Sequence, residues 1–475
     1  MPVLLDALQA LLGQYHVLTG ADAAPYLTDW RKLYRGSALA VVRPGSTEEV
    51  AAVVRLCARH GAPVVPQGGN TGQCGGATPD ASGRAVVVLL GRLDRVREID
   101  TANDTITVEA GCVLQAVQAA AHAAGRLFPL SLGAEGSCMI GGNLASNAGG
   151  TQVLRYGNAR ELALGIEVVT AEGEIWHGLR GLRKDNAGYD LRDLYIGSEG
   201  TLGIITAATL KLFPLPAAQG TALAATDSIA AAVALLARSR ARAGAALTGF
   251  ELMSGDALEL VTRVFPRQRL PLPAGAPWYV LLETSDSDEG GDGGDGGEHA
   301  RGRLERLLGE ALDAGEIGDA AIAGSLAQAD AFWHLRESIT LALAEHGKCV
   351  KHDISVPTSR IAGFVEETGA RLRERHPGAR CVTFGHLGDG NLHYNVIRTA
   401  ASSDAELLAS ADGILRFVHD SVRRHAGSIS AEQGIGQARV DELVRCKDPL
   451  ELALMRRVKQ ALDPLGIMNP GKVFG

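Results

Sequence analysis

Pro66-Gln67-Gly68-Gly69-Asn70-Thr71-Gly72-Gln73-Cys74-Gly75-Gly76 is the stretch on which the reading of the chain turns. So many glycines cannot form a helix or a packed strand, because each costs conformational entropy and brings no side chain to pack. A loop of bare N–H groups is useful when it is aimed at a guest, and an anion is the guest it suits. A short strand, Pro63-Val64-Val65-Pro66, feeds the loop. Before it, Ser46-Thr47-Glu48-Glu49 supplies a capping hydroxyl and first-turn acids for a helix that ends near Gly61. Two further glycine clusters follow, Leu132 to Gly150 and Ile196 to Thr206. Three independent sets of tight turns would be the structural alternative, and one shared guest explains the clusters more simply.

A second stretch carries more side-chain chemistry: Gly385-His386-Leu387-Gly388-Asp389-Gly390-Asn391-Leu392-His393-Tyr394-Asn395. Asp389-Gly390 is a preferred two-residue hairpin turn, in which both positions take positive φ. In that register His386 stands opposite His393, with Cβ atoms roughly 5 Å apart. Strand alternation then puts Asn391 and Asn395 on the same face and turns the leucines away. A metal or catalytic site is expected there, with two surface histidines on a hairpin as the plainer alternative.

The 475 residues are enough for two or three packed units, and 46% hydrophobic with 21% charged residues is a globular composition. A formal charge of −8 and the lack of a Lys/Arg run exclude a nucleic-acid binder. Fifty-nine glycines against 4% aromatics suit an enzyme wrapped closely around a cofactor. The seven cysteines are scattered without a Cys-x-x-Cys pair and read as reduced thiols. The start lacks the basic region of a signal peptide, and no apolar run reaches the roughly 18 residues of a membrane span. A cytoplasmic enzyme is expected.

The patterns predict a helix over 3–13, strands at 85–90, 105–109, 164–170 and 174–177, and a helix over 113–124. Composition breaks at Pro214-Leu215-Pro216. Beyond it, helices at 228–243, 303–313, 328–345, 360–375 and 404–425 alternate with strands at 278–284, 348–355, 380–385 and 391–398. That is an α+β unit with an antiparallel sheet. Ser285 to Gly297 is an acidic Gly/Asp segment read as a mobile surface loop, and a final helix covers 448–463. Expected domains are an N-terminal helical segment (1–37), a cofactor domain (38–215), a substrate domain (216–425) and a returning C-terminal segment (426–475). Arg336 and Thr340 lie four apart on one helix and share a face, and Lys351 sits in the next strand. Arg offers bidentate carboxylate recognition and Lys a point charge, although a surface salt bridge is the commoner fate of such an Arg.

Two nucleotide motifs fail. No Gly-x-Gly-x-x-Gly lies between a strand and a helix, and Gly466 to Lys472 is followed by Val473 with no room for a helix. What the chain does resemble is the vanillyl-alcohol-oxidase/p-cresol-methylhydroxylase flavoprotein superfamily, in its FAD-linked D-2-hydroxyacid dehydrogenase branch. The matching text is PQGGNTGQCGGATP (66–79), SLGAEGSCMIGGNLASNAGG (131–150), LRYGN (154–158), LRKDNAGYDL (182–191), YIGSEGTLGIITAATLKLFP (195–214), GHLGDGNLHYN (385–395), SISAE (428–432) and NPGK (469–472). Within the branch, PQGGNTG and LRYGN look more like the D-2-hydroxyglutarate dehydrogenases than the D-lactate dehydrogenases.

The resemblance implies a two-part FAD-binding domain of the p-cresol-methylhydroxylase type joined to an α+β cap domain. Its cofactor positions fall on Pro66, Gln67, Gly68, Gly69, Asn70, Thr71, Gly72, Gly133, Ser137, Gly141, Gly142, Asn143, Ser146, Asn147, Gly150, Glu199, Gly203, Ile204, Ile205, Asn391 and Asn469. The first loop contains no histidine, so FAD is expected to be non-covalent. Arg336, Thr340 and Lys351 fall on substrate-carboxylate positions, and Asn395 joins them as a catalytic candidate. A divalent metal, zinc or manganese, falls on His386, His393 and Glu432. One position departs from the pattern: the family has a His base after that Glu, and this chain has Gln433, which has no useful basic form near neutrality. The implied partners are a D-2-hydroxy acid and a separate electron acceptor, an electron-transferring flavoprotein or a quinone, with a homodimer as one open assembly state. A flavin-binding interaction module that has lost catalysis is the alternative that Gln433 raises.

Overall fold

Ser46 accepts a hydrogen bond from the Glu49 N–H and caps the helix Thr47–His60, which stops at Gly61 in the left-handed conformation. Val50, Val53, Val54 and Cys57 recur at helical spacing and are fully buried. They meet the core of a four-stranded sheet in the order Val17–Leu18, Ala38–Val42, Ala85–Leu89, Val64–Gln67, its last three strands parallel. A five-stranded antiparallel sheet follows, in the order Val96–Asp100, Thr105–Glu109, Gly203–Lys211, Ala163–Thr170, Ile175–Gly178. The chain is described by a computed structural model, which covers residues 2–286 and 296–474.

Two compact units result. The first contains residues 1–149, 157–214 and 433–475, and the second contains 150–156 and 215–432. The division departs from the boundaries drawn on composition. Residues 1–37 belong to the first unit, because Leu4, Leu8 and Leu12 of the helix Pro2–Leu12 bury into its core. Residues 150–156 belong to the second, where Leu154 packs on the core.

The second unit is a seven-stranded antiparallel sheet. Its strands are β1 (Ala218–Thr226), β2 (Leu247–Ser254), β3 (Trp278–Asp286), β4 (Asp319–Ile322), β5 (Cys349–Ser355), β6 (Ala379–His386) and β7 (Asn391–Arg398), in the spatial order β4-β1-β3-β2-β6-β7-β5. The helices Gly255–Val264 and Leu326–His346 cover one face, over Met253, Tyr279, Leu281, Val382 and Phe384. Ile229–Ala243, Gly296–Asp313, Ile361–Arg375 and Ala411–Arg424 cover the other.

The sequence patterns missed β1, β2 and β4. β1 and β4 are rich in small residues, and β2, Leu-Thr-Gly-Phe-Glu-Leu-Met-Ser, is buried on both faces, so neither β-branched enrichment nor clean alternation marks them. The helix predicted over 404–425 is two, Asp404–Ala409 and Ala411–Arg424, broken at Ser410. The second glycine cluster contains the short helix Ile140–Ala145. Of the acidic segment 285–297, strand β3 takes in Ser285 and Asp286 and a helix starts at Gly296, while 287–295 lie outside the described residues. Among the described residues no helix is long and apolar enough to cross a membrane.

Candidate active site

The first unit holds a cleft of about 970 Å³, part of it open to solvent. Sixteen expected positions line it: Pro66, Gln67, Gly68, Gly69, Asn70, Thr71, Gly72, Gly141, Gly142, Asn143, Ser146, Glu199, Gly203, Ile204, Ile205 and Gln433. Among the described residues, the backbone N–H groups of Gly69, Asn70, Thr71, Gly72 and Gly142 donate to no acceptor of the chain. Such donors need a partner from outside, which is the requirement a pyrophosphate meets. Asn70 takes φ 52° and its Nδ2 donates to Thr28 O, which fixes the loop's turn. No protein atom lies within 4 Å of where a Cβ would stand on Gly72 or Gly142, so both leave space on the cleft side.

Six expected cofactor positions are not brought to this cleft. Gly133 and Ser137 are exposed, and Ser137 Oγ donates to Ala134 O. Asn147, at φ 50°, accepts from Arg160 N and shapes the turn after the helix. Gly150 and Asn391 belong to the second unit. Asn469 acts from behind the wall, its Nδ2 donating to Gly76 O at 2.9 Å and Glu199 O at 2.7 Å. Glu199, at φ 54°, in turn accepts from the N–H groups of Ile435 and Gly436, both at 2.7 Å, and so ties the returning segment to the cleft. Cys74, Met139, Tyr195 and Ser198 also line the cleft and were not singled out beforehand.

In the second unit the hairpin forms in a register other than the expected one. Phe384, not His386, stands opposite His393, and residues 387–390 form the connection. Only Gly390 has positive φ, whereas the two-residue turn needs it at Asp389 as well. Asp389 instead accepts from Asn391 N through its side chain, and the N–H groups of Asp389 and Gly390 both donate to His386 O. The register differs by two residues, which preserves the face of every side chain. His386, Asn391, His393 and Asn395 therefore still share one face, with imidazole centroids 5.8 Å apart.

Neighbouring strands complete that face. Glu251 on β2 stands opposite His386, Asp353 on β5 opposite His393, and Lys351 opposite Asn395. Asp353 positions Glu432, the third candidate ligand: its Oδ2 accepts from Glu432 N at 3.1 Å and its backbone O from Ala431 N at 3.2 Å. The Nε2 atoms of His386 and His393 lie 3.9 and 3.7 Å from the Glu432 carboxylate, and one ligand atom from each residue falls within 4.8 Å of the others. A tetrahedral ion with bonds of about 2.1 Å holds its ligands about 3.4 Å apart, and the two His–Glu432 separations come within about half an ångström of that spacing. Arg336 lies over the same face, its guanidinium carbon 4.8 Å from the centre of the Phe384 ring and its Nε donating to Glu251 at 2.7 Å. Thr340 is one helical turn further on, half-buried, as is Lys351. Asn395 is buried and donates to the carbonyls of Val382 and His393. Asn391 donates to Asp353 and Ile354 O, so it braces the strand that bears His393 against its neighbour.

The charges divide by pairing. Burial works against a charged His386, but the Glu251 carboxylate beside it outweighs burial and raises the imidazole to about 9. Burial likewise opposes a charged Glu251, and His386 with Arg336 hold it at about 2. Burial pushes His393 down to about 3 and Glu432 up to about 7. A bound cation favours a neutral imidazole and an ionised carboxylate, so it would resolve the strain of burying these groups together. Glu251 and Asp353 were both missed by the sequence reading. A glutamate in the middle of the buried run Phe250-Glu251-Leu252 is the signal that could have exposed the first.

Residues 38–178 match an FAD-binding domain, and residues 215–473 match the C-terminal domain of FAD-linked oxidases. This chain belongs to the FAD-linked oxidases. Its relatives in that family include the D-2-hydroxyglutarate dehydrogenases. The protein of that name from Xanthomonas citri pv. viticola is 40% identical, over 96% of this chain and 93% of the relative. The mitochondrial one from Bos taurus is 38% identical, over 99% of this chain and 83% of the relative. Among solved structures, p-cresol methylhydroxylase with substrate bound superposes with a TM-score of 0.77 at 17% identity, covering 99% of this chain and 96% of that one. At that identity the likeness is one of fold. As an FAD-linked oxidase the chain is an FAD-dependent dehydrogenase, and the cleft lined by unpaired N–H groups is the place in it that fits the cofactor's charge.

Proposed function

We propose that this chain oxidises a D-2-hydroxy acid, D-2-hydroxyglutarate or a close relative, to the 2-oxo acid. The convergence of His386, His393 and Glu432 beside Arg336 carries the reading. When bound, FAD supplies a two-electron acceptor for the Cα hydride at its N5, and a divalent ion, zinc or manganese, supplies a Lewis acid for the hydroxyl and its neighbouring carboxylate.

The rest is done by the chain. The loop Gly68–Gly72 and Gly142 hold the pyrophosphate through backbone N–H groups, without a covalent link. His386, His393 and Glu432 hold the ion, and two imidazoles with a carboxylate suit either metal. Arg336 spends its Nε on Glu251 and keeps its Nη edge for a substrate carboxylate, with Thr340 and Lys351 as further donors. For a diacid this is the distal carboxylate. Asn395 keeps His393 in place through its backbone carbonyl. The hydroxyl proton does not go to Gln433, an amide whose Oε1 already accepts from Arg439 at 3.4 Å. Reoxidation then requires a separate acceptor, an electron-transferring flavoprotein or a quinone. A cytoplasmic location rests on sequence patterns alone, and relatives from plants and animals are named mitochondrial.

Anaerobic mixing with D-2-hydroxyglutarate and Zn²⁺ or Mn²⁺ should bleach the flavin absorbance, with D-lactate and longer D-2-hydroxy acids as comparisons. If no D-2-hydroxy acid bleaches it, the substrate reading falls. Gln433 favours one second reading, a flavin-binding interaction module without turnover. That reading requires that neither the natural chain nor Gln433→His reduces its flavin.

A further inference from the structure

Glu251 is fully buried on β2, and both its oxygens are committed. Oε2 accepts from Arg336 Nε at 2.7 Å, and Oε1 stands 2.5 Å from His386 Nδ1. One carboxylate thus touches a residue of the metal set and a residue of the carboxylate-binding set. We propose that Glu251 is a positioning residue that orients His386 toward the metal and Arg336 toward the substrate at once, an inference that rests on the proposed function above.

The argument is one of donors and acceptors. An imidazole that donates its Nδ1–H to Glu251 keeps its Nε2 lone pair for a metal, in the direction where Glu432 stands 3.9 Å away. A guanidinium held at Nε and laid over the Phe384 ring has its plane fixed, so its Nη edge points one way only. Glu251 needs two acceptor oxygens to serve both partners, and glutamine has one. In Glu251→Gln the amide oxygen can serve Arg336 or His386. Toward the other it turns an NH₂, which either repels the guanidinium or drives the imidazole into the tautomer whose Nε2 carries a proton and cannot bind a metal.

The test is Zn²⁺ titrated by calorimetry into metal-free, FAD-loaded protein, for the natural chain, Glu251→Gln and His386→Ala. Glu251→Gln should weaken Zn²⁺ binding about 10- to 100-fold with FAD content unchanged. It should also raise KM for D-2-hydroxyglutarate more than it lowers kcat. A residue that only filled space would lower the melting temperature and leave the Zn²⁺ affinity of the folded protein alone. If His386→Ala loses Zn²⁺ while Glu251→Gln binds within twofold of the natural chain, the Glu251 proposal is wrong and the metal reading stands. If the natural chain and His386→Ala bind Zn²⁺ alike, the metal reading fails and the proposal falls with it. Should Glu251→Gln not fold, Glu251→Leu/Arg336→Met removes the acceptor of His386 together with the cation that would be stranded, and the same affinity is read there.

Discussion

The cleft of the first unit is made of backbone, and the face of the second unit is made of side chains. Around the cleft, glycines and turn-forming asparagine leave N–H groups bare, and no charged side chain is needed to receive an anion. On the sheet, ionisable groups that include Glu251, Arg336, Asp353, His386, His393 and Glu432 crowd one face, each buried or half-buried. The difference sets what each region tolerates. A backbone site fails when a side chain intrudes, and a side-chain site fails when a partner is removed.

Removing one partner gives the largest effect. On the proposed function His393→Ala removes one of the three candidate metal ligands and forfeits several kcal/mol of Lewis-acid stabilisation, so kcat should fall by at least about 10³. FAD stoichiometry should not change, because His393 lies in the second unit. Steady-state kinetics with flavin quantitation checks both, and full metal-dependent turnover in His393→Ala would break the comparison. Gln433→His comes next and acts in the opposite direction. If the chain lacks only a proton acceptor, turnover should rise by about 10² and acquire the pH dependence of an imidazole. An unchanged rate would mean that another group already takes the proton.

The backbone site is probed by two glycines. On Gly69 a Cβ would run into the carbonyl oxygen of Ser137, so Gly69→Ala should cost about 1–3 kcal/mol of stability as well as FAD. On Gly142 a Cβ meets no protein atom, and the residue lies in a short helix. Gly142→Ala should therefore leave the FAD-free protein as stable or up to about 1 kcal/mol more so, while weakening FAD by about tenfold. Melting temperatures with and without FAD separate the two. Equal effects of both substitutions would mean that Gly142 does not face the cofactor.

The two regions were also unequally legible in the sequence. A backbone site is contiguous, so Gly68 to Gly72 announced it before any fold was known. The hairpin histidines were legible for a similar reason: strand parity survives a two-residue error in register, and the turn was misjudged without moving either imidazole off its face. Glu251 and Asp353 were not legible. Both act on residues more than thirty positions away in sequence, through strand pairings that depend on the whole sheet order, and the strand bearing Glu251 has no pattern to announce it. Alternation can say that a glutamate lies among buried residues; only the topology says which cation meets it.

Glu283 puts that last point to a quieter test. It lies on β3 on the same face as Glu251, opposite Gly249, and it is buried. Its oxygens accept from Trp333 Nε1 at 2.8 Å and Thr248 Oγ1 at 3.2 Å, and among the described residues no cation pairs with it. The two glutamates have opposite fates: cations hold Glu251 far below the usual carboxylate range, whereas burial pushes Glu283 above its ordinary 4.5. The sign follows from proton counting. Between the ordinary and the raised value the folded chain keeps the Glu283 proton and the unfolded chain has lost it. Its contribution to stability is therefore complete below about 4.5 and declines as pH rises through the raised value. Glu283→Gln mimics the protonated form, with an NH₂ in place of the hydroxyl, and removes this dependence. Urea unfolding across pH 4 to 8 should show the variant gaining on the natural chain as pH rises, by less than any effect above. Parallel curves would mean that Glu283 is ionised in the fold and has found a compensation that Trp333 and Thr248 do not provide.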